Sequence, residues 1–176
     1  MAVLIEGISV IIRNDSILNK MNKGSSEFID SVKNKVWTSD GELVCVYFMT
    51  PIDAKNYVDV LIDKGLIFKD FKGDAVDIAI VDQRQGKLTN CSWTICGYLD
   101  WEEDENKPIL VCSLYSSKRR EILVPDGWVY ETSLTSKGLF ISNKNRGENY
   151  KFLKNIDNKD IFIDLITGNE HFVKRY

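Results

Sequence analysis

Six consecutive positions, Asp100, Trp101, Glu102, Glu103, Asp104 and Glu105, put five carboxylates and one indole on a single short stretch. Carboxylates this close repel one another in any low-dielectric interior, so the run belongs on an exposed loop, where it can steer a basic partner towards the chain. Trp101 is the one large apolar group among them, and an indole ringed by polar side chains suits the anchor of a protein interface. The competing reading is a solvated hairpin tip with the ring folded back onto a sheet. The run closes a wider acidic segment: residues 39–105 hold 14 carboxylates against 6 Lys and Arg, in a chain whose net charge is −3. That polarity speaks for a binding face and gives no reaction.

Other chemistry finds little support. The only histidine is His171, in the apparent last strand, which leaves most acid-base and nucleophilic schemes without a partner unless the fold brings Cys91 or Cys96 to it. Carboxylate-only chemistry needs a matched pair, and the candidates are Glu6, which interrupts an apolar strand, Asp77, between Val76 and Ile78, and Asp82, at the end of that strand. Their structural readings are an edge position or bulge for Glu6-Gly7, the solvent face of an alternating strand for Asp77 and a turn former for Asp82. Four cysteines and one histidine make metal ligation an outside reading: Cys91 and Cys96 have weak zinc or redox spacing, whereas Cys45 and Cys112 sit in apolar runs as small hydrophobes. Gly86-Lys87 lacks the glycines of a phosphate loop, so no cofactor and no metal is expected. Lys118-Arg119-Arg120 is a compact basic cluster, yet a pI of about 5.3 and the acidic segment oppose nucleic-acid binding.

The elements that must carry these residues are clearest over residues 43–81. Residues 43–49 form a continuous apolar strand. Thr50 then serves as N-cap, Pro51 as the first helical residue and Asp53 as a carboxylate at the positive end of the helix dipole. Ala54, Tyr57, Val58 and Leu61 form one stripe, and Gly65 stops the helix with Leu66 folding back. Short strands at 66–69 and 76–81 follow around a turn at Lys72-Gly73-Asp74. Upstream, residues 3–12 read as one strand, 15–21 as a helix with Ile17, Leu18 and Met21 inward, and Ser26 as the cap of a second helix burying Phe28, Ile29 and Val32. Downstream, the runs 93–99, 109–115, 121–124, 128–134, 139–142, 150–153 and 161–166 read as short antiparallel strands. The opening Met1-Ala2-Val3-Leu4-Ile5 is expected to be a first strand, since Glu6 and Gly7 interrupt it and no basic residue precedes it. No apolar run approaches the roughly 18 residues of a membrane span. The fold class expected is α+β, with N-terminal strand-helix units packed on a mainly antiparallel sheet. It is one domain over 1–176, with any subdomain boundary near 82–90, 1–81 forming an α+β layer and 91–176 mostly antiparallel sheet.

Between residues 41 and 86, the strings Phe48-Met49-Thr50-Pro51-Ile52-Asp53, Gly65-Leu66-Ile67-Phe68 and Val76-Asp77-Ile78-Ala79-Ile80-Val81-Asp82-Gln83 resemble small bacterial cytoplasmic proteins, some of them similar to immunity proteins of polymorphic toxin systems. The resemblance covers about a quarter of the chain and carries no catalytic motif. It implies a cytoplasmic protein that binds a basic toxin domain and masks its nucleic-acid site by charge mimicry, a role in which carboxylates gain on-rate. The expectation is then a non-enzymatic binding module, with Asp100, Glu102, Glu103, Asp104 and Glu105 steering and Trp101 anchoring. Its partner would be a basic protein, with no nucleic acid and no membrane. The alternatives are a small hydrolase-like enzyme using Asp82, Asp77 or Glu6 in a cleft, and a structural subunit of a larger assembly.

Overall fold

The computed structural model describes residues 1–117, 121–137, 150–156, 159–164 and 170–174. Its elements are β1 (Ala2–Ile5), β2 (Ile8–Arg13), α1 (Asn14–Lys20), α2 (Gly24–Ser31), β3 (Trp37–Ser39), β4 (Leu43–Phe48), α3 (Pro51–Asp63), β5 (Ile78–Asp82), β6 (Gly86–Lys87), β7 (Thr94–Asp100), β8 (Pro108–Leu114), β9 (Ile122–Leu123), α4 (Leu134–Lys137), β10 (Tyr150–Ile156), β11 (Lys159–Asp164) and β12 (Glu170–Lys174). The fold is α+β. The chain divides into two compact units, one of residues 1–99 and 109–128, the other of residues 100–108 and 129–176.

The first unit has three layers. A five-stranded sheet, ordered β3-β4-β2-β5-β6, carries α1, α2 and α3 on one face and a four-stranded sheet, ordered β7-β8-β1-β9, on the other. Because strand side chains alternate, each central strand feeds two cores. Ile8, Val10 and Ile12 of β2, Val44 and Val46 of β4 and Ile78 of β5 meet the helices. Ile11, Leu43, Cys45, Tyr47, Ala79 and Val81 face Val3, Ile5, Leu110 and Cys112 of the second sheet. Burial on both faces is why these strands read as unbroken apolar runs instead of alternating ones.

The helix α3 forms as its sequence dictates. Thr50 Oγ1 accepts the Asp53 N–H at 3.1 Å, and Ala54, Tyr57, Val58 and Leu61 are all buried. At the far end Gly65, at φ +100°, lets its N–H reach Ile62 C=O and lets the Leu66 N–H reach Leu61 C=O, the paired bonds of a Schellman stop, with Leu66 buried behind them.

Several expectations are corrected. Residues 3–12 are two strands in two different sheets, and Glu6-Gly7 is neither an edge nor a bulge. It is a corner, with Gly7 at φ +60° and its N–H and C=O both bonded to Gln83. The second helix begins at Gly24, not under a Ser26 cap; Lys23 precedes it with no side-chain cap, and its N–H is taken by the Glu27 carboxylate. Ile17, Met21, Phe28 and Val32 are buried, but Leu18 and Ile29 are half exposed. Residues 66–69 are not a regular strand, although Ile67 and Phe68 accept the Asp77 and Val76 N–H groups. Residues 128–134 are not a strand either: Tyr130–Thr132 is a 3-10 turn leading into α4. The run 139–142 lies outside the described residues. In the second unit, β10, β11 and β12 form an antiparallel sheet, with a register shift between Phe152 and Lys154.

Candidate functional site

The acidic run connects β7 to β8, which are neighbours in the four-stranded sheet, so it is a hairpin connection as its sequence requires. Trp101–Glu103 forms a 3-10 turn. Three backbone bonds frame it: Trp101 N–H to Lys107 C=O at 2.8 Å, Asp104 N–H to Trp101 C=O at 3.1 Å and Lys107 N–H to Asp104 C=O at 2.8 Å. Within this frame Glu102 and Glu103 both lie in the left-handed region, at φ +55° and +62°. Two adjacent non-glycine residues there cost on the order of 1–3 kcal/mol each, so surrounding bonds must hold them. Asp104 Oδ1 supplies two, accepting the Asn106 N–H at 2.9 Å and its side-chain amide at 3.0 Å. The Asn106 backbone N–H, more than the side-chain amide, pulls the Asp104 carboxyl below its ordinary range.

Lys107 is the cation of this site. Its Nζ donates to Glu131 at 3.0 Å and to Glu102 at 3.5 Å, and lies 5.5 Å from the Tyr130 ring centroid. The Glu131 hydrogen bond raises the Lys107 pKa, and the same bond lowers that of Glu131. Asp100, Glu102, Glu103 and Glu105 are exposed, whereas Trp101 and Asp104 are half-buried. The expected site residues therefore sit together on one short, hydrogen-bonded loop. Sequence reasoning missed Lys107, Tyr130 and Glu131. Lys107 was legible as the only base next to the run, but its partners come from a segment 24 residues further on.

Each of the three isolated carboxylates is engaged by hydrogen-bond donors of the fold. Asp77 is not on a solvent face: it is 2% exposed, and its oxygens accept from Ser16 Oγ at 2.7 Å, Lys20 Nζ at 2.7 and 2.9 Å and the Ile67 N–H at 2.7 Å. Burial pushes its pKa up, but the Lys20 ammonium and the Ile67 and Ser16 donors outweigh it, and the net shift is downward. Asp82 is a turn former, its Oδ1 taking the Arg84 and Gln85 N–H groups at 2.7 and 2.9 Å. It lies five residues from Asp77, about 17 Å away along an extended strand. Glu6 accepts the Trp128 indole N–H at 3.0 Å.

Cys91 and Cys96 do not pair. Cys91 Sγ accepts from the Thr94 hydroxyl at 3.3 Å, and Cys96 Sγ lies 3.4 Å from Cys112 Sγ. Among the described residues no group of three or more His, Cys, Asp or Glu is arranged to hold a metal ion. The backbone of His171 pairs with Phe162 on β12, an edge strand. Lys118, Arg119 and Arg120 lie outside the described residues. No described helix is long and apolar enough to cross a membrane.

Comparison with protein-family models, with curated proteins and with solved structures gave no match.

Proposed function

We propose that this chain is a protein-binding module of the immunity type, which uses the β7–β8 loop to engage a basic toxin domain in a cytoplasmic setting. One observation carries the reading: residues 100–107 hold five carboxylates against one lysine on a hydrogen-bonded frame, with Glu102 and Glu103 in left-handed conformations that an unconstrained loop would not keep. A carboxylate cluster on a framed loop presents its field with little ordering cost on binding, and such a field raises encounter rates with a cationic surface. In this reading Asp100, Glu102, Glu103 and Glu105 steer, Trp101 anchors, and Lys107 limits self-repulsion within the loop. Cys45 and Cys112, fully buried in apolar strands where a thiol serves as a small hydrophobe, suit a reducing compartment.

The test is capture by the tagged protein from its source lysate at low and high salt, repeated with Asp100→Asn, Glu102→Gln, Glu103→Gln, Asp104→Asn and Glu105→Gln combined. The expected result is a stoichiometric basic partner, held at low salt by the parent chain and lost by the variant. A partner retained by the variant with unchanged salt dependence refutes the assignment of the site.

A further inference from the structure

Cys96 on β7 and Cys112 on β8 occupy a position the acidic loop does not use. The Tyr115 N–H donates to Trp93 C=O at 2.9 Å, which sets the offset of the two strands and places Cys96 directly opposite Cys112. The Trp101 N–H to Lys107 C=O bond repeats the same offset at the far end of the ladder, so no net bulge intervenes. Antiparallel ladders alternate hydrogen-bonded and non-hydrogen-bonded pairs, and Cys96–Cys112, three steps from Trp93–Tyr115, is of the second kind. Those pairs bring Cα atoms to about 4.5 Å, against about 5.5 Å for the first kind. That separation lies within the range of a disulfide, about 4.4–6.8 Å. The sulfurs are already 3.4 Å apart, and closure to a bond of about 2.05 Å moves them about 1.4 Å nearer.

The two thiols are unequal. Cys112 is fully buried, while Cys96, on the edge strand β7, packs against the same core and is only half-buried. Their shared hydrogen bond holds the Cys96 thiol below its ordinary range and that of Cys112 well above it; the Lys87 ammonium adds to the first effect against the cost of burial. Lys87 is fixed for this purpose, since its Nζ donates to the carbonyl oxygens of Cys91 and Thr94. The other cysteines have no thiol opposite them on a neighbouring strand among the described contacts. Cys45 is fully buried on β4, directs its S–H at Leu4 C=O and is pushed up to about 12 by burial. Cys91 is buried against Thr94.

We propose that Cys96 and Cys112 form a site of reversible oxidation by hydroperoxides, with Cys96 the attacking thiol and Cys112 the resolving one. The Cys96 thiolate attacks one peroxide oxygen, the O–O bond breaks, and Cys96 sulfenic acid and hydroxide form. Cys112 sulfur then displaces the sulfenic oxygen, which leaves as water with the Cys112 proton. Two thiols and one hydrogen peroxide thus become one disulfide and two waters. An accessible thiolate beside a resolving thiol is the arrangement that favours disulfide over further oxidation. This inference is independent of the binding role proposed for the acidic loop.

The test is treatment of the native, reduced full-length protein with stoichiometric hydrogen peroxide, followed by thiol counting and peptide mapping. The expected result is loss of two of the four thiols, a single Cys96–Cys112 linkage, and recovery of four thiols with dithiothreitol. In parallel, Cys112→Ala is oxidised in the presence of dimedone, which should label Cys96 alone. A linkage mapped to Cys45 or Cys91, or no linkage while the protein remains folded, overturns the proposal. So does oxidation of the parent chain no faster than after unfolding in urea. Each reading on the parent chain decides the matter even if the variant fails to fold.

Discussion

Removing Asp77 should open the first unit by a predictable amount. Its carboxylate fastens three pieces of chain: α1 through Ser16 and Lys20, the segment after α3 through the Ile67 N–H, and the bend that leads into β5, where Asp77 itself stands. Asp77→Ala strands the buried Ser16 hydroxyl, worth about 1–3 kcal/mol when left unpaired, and the part-buried Ile67 N–H, worth about 1 kcal/mol. Lys20 has 36% of its side chain exposed and can turn to water, so the full cost of an unpaired buried charge, about 3–5 kcal/mol, does not apply. The donors share one acceptor and do not add, which leaves about 3 kcal/mol for Asp77→Ala. About 2 kcal/mol remains for Asp77→Asn, which keeps one acceptor oxygen, and about 1 kcal/mol for Lys20→Met, which leaves two donors in place. The assay is hydrogen exchange of the β2 and β5 amides, which reports opening of this unit alone. At about 1.4 kcal/mol per factor of ten, Asp77→Ala should speed exchange by roughly two orders of magnitude. An increase under threefold, or Lys20→Met costing more than Asp77→Ala, refutes the assignment of Asp77 as the fastener.

The same carboxylate sets a pH dependence. Its folded pKa lies below the unfolded value of about 3.9, so its stabilisation is complete above that value and is lost as pH falls through the folded pKa. The stability gap between the parent chain and Asp77→Asn should therefore stay constant above about pH 5 and close only at more acidic pH. A gap that shrinks between neutral pH and pH 5 would mean that the folded pKa is raised, contrary to the geometry.

Three further outcomes follow from single contacts. Thr50→Ala deletes the acceptor for the Asp53 N–H and should cost about 1 kcal/mol in urea unfolding, whereas Thr50→Ser should cost little. Gly65→Ala places a Cβ 3.2 Å from Lys20 C=O at φ +100° and should cost about 2 kcal/mol, read in the same assay. Lys107→Met removes the cation from the acidic loop, so binding of a basic probe such as polylysine, measured by titration, should tighten at low salt and depend more steeply on salt concentration.

What the sequence made legible was local. The cap, stripe and stop of α3 involve residues within a few positions of one another, and each is found where its chemistry put it. The hairpin position of the acidic run was legible for the same reason, because strands of matched length flank it. The layering was not. β1 and β2 are buried along nearly their whole length, and β2 is packed on both faces, which erases the two-residue period that would have separated them. Their break falls at Gly7, whose pairing with Gln83 spans 76 residues. Asp77 misled for a related reason: a carboxylate beside apolar neighbours looks outward-facing until Lys20, 57 positions away, is seen to meet it. The Cys96–Cys112 pair was equally hidden, because the spacing that draws the eye joins Cys91 to Cys96, while the register of the hairpin selects Cys112.

Long-range pairing also changes what the charge count means. Asp40, Asp77 and Asp82 belong to the acidic segment 39–105, yet all three are buried and serve the backbone: Asp40 takes the Glu42 and Leu43 N–H groups, Asp77 ties α1 to β5, and Asp82 closes the turn before β6. Asp77 is neutralised by Lys20, and the carboxylates of Asp40 and Asp82 are buried in backbone turns where a partner cannot touch them. Others, such as Asp59 with Lys55, are already matched on the surface. The polarity that a partner would meet is thus narrower than the sequence count suggests, and it is concentrated on residues 100–107, which hold five carboxylates and one lysine. Screening acts over about 8 Å at physiological salt, so carboxylates crowded onto one short loop act jointly, while the same number scattered along the chain would not. The carboxylates of Asp100, Glu102, Glu103 and Glu105, exposed on a framed loop, are the part of this acidic segment that remains for a partner to meet.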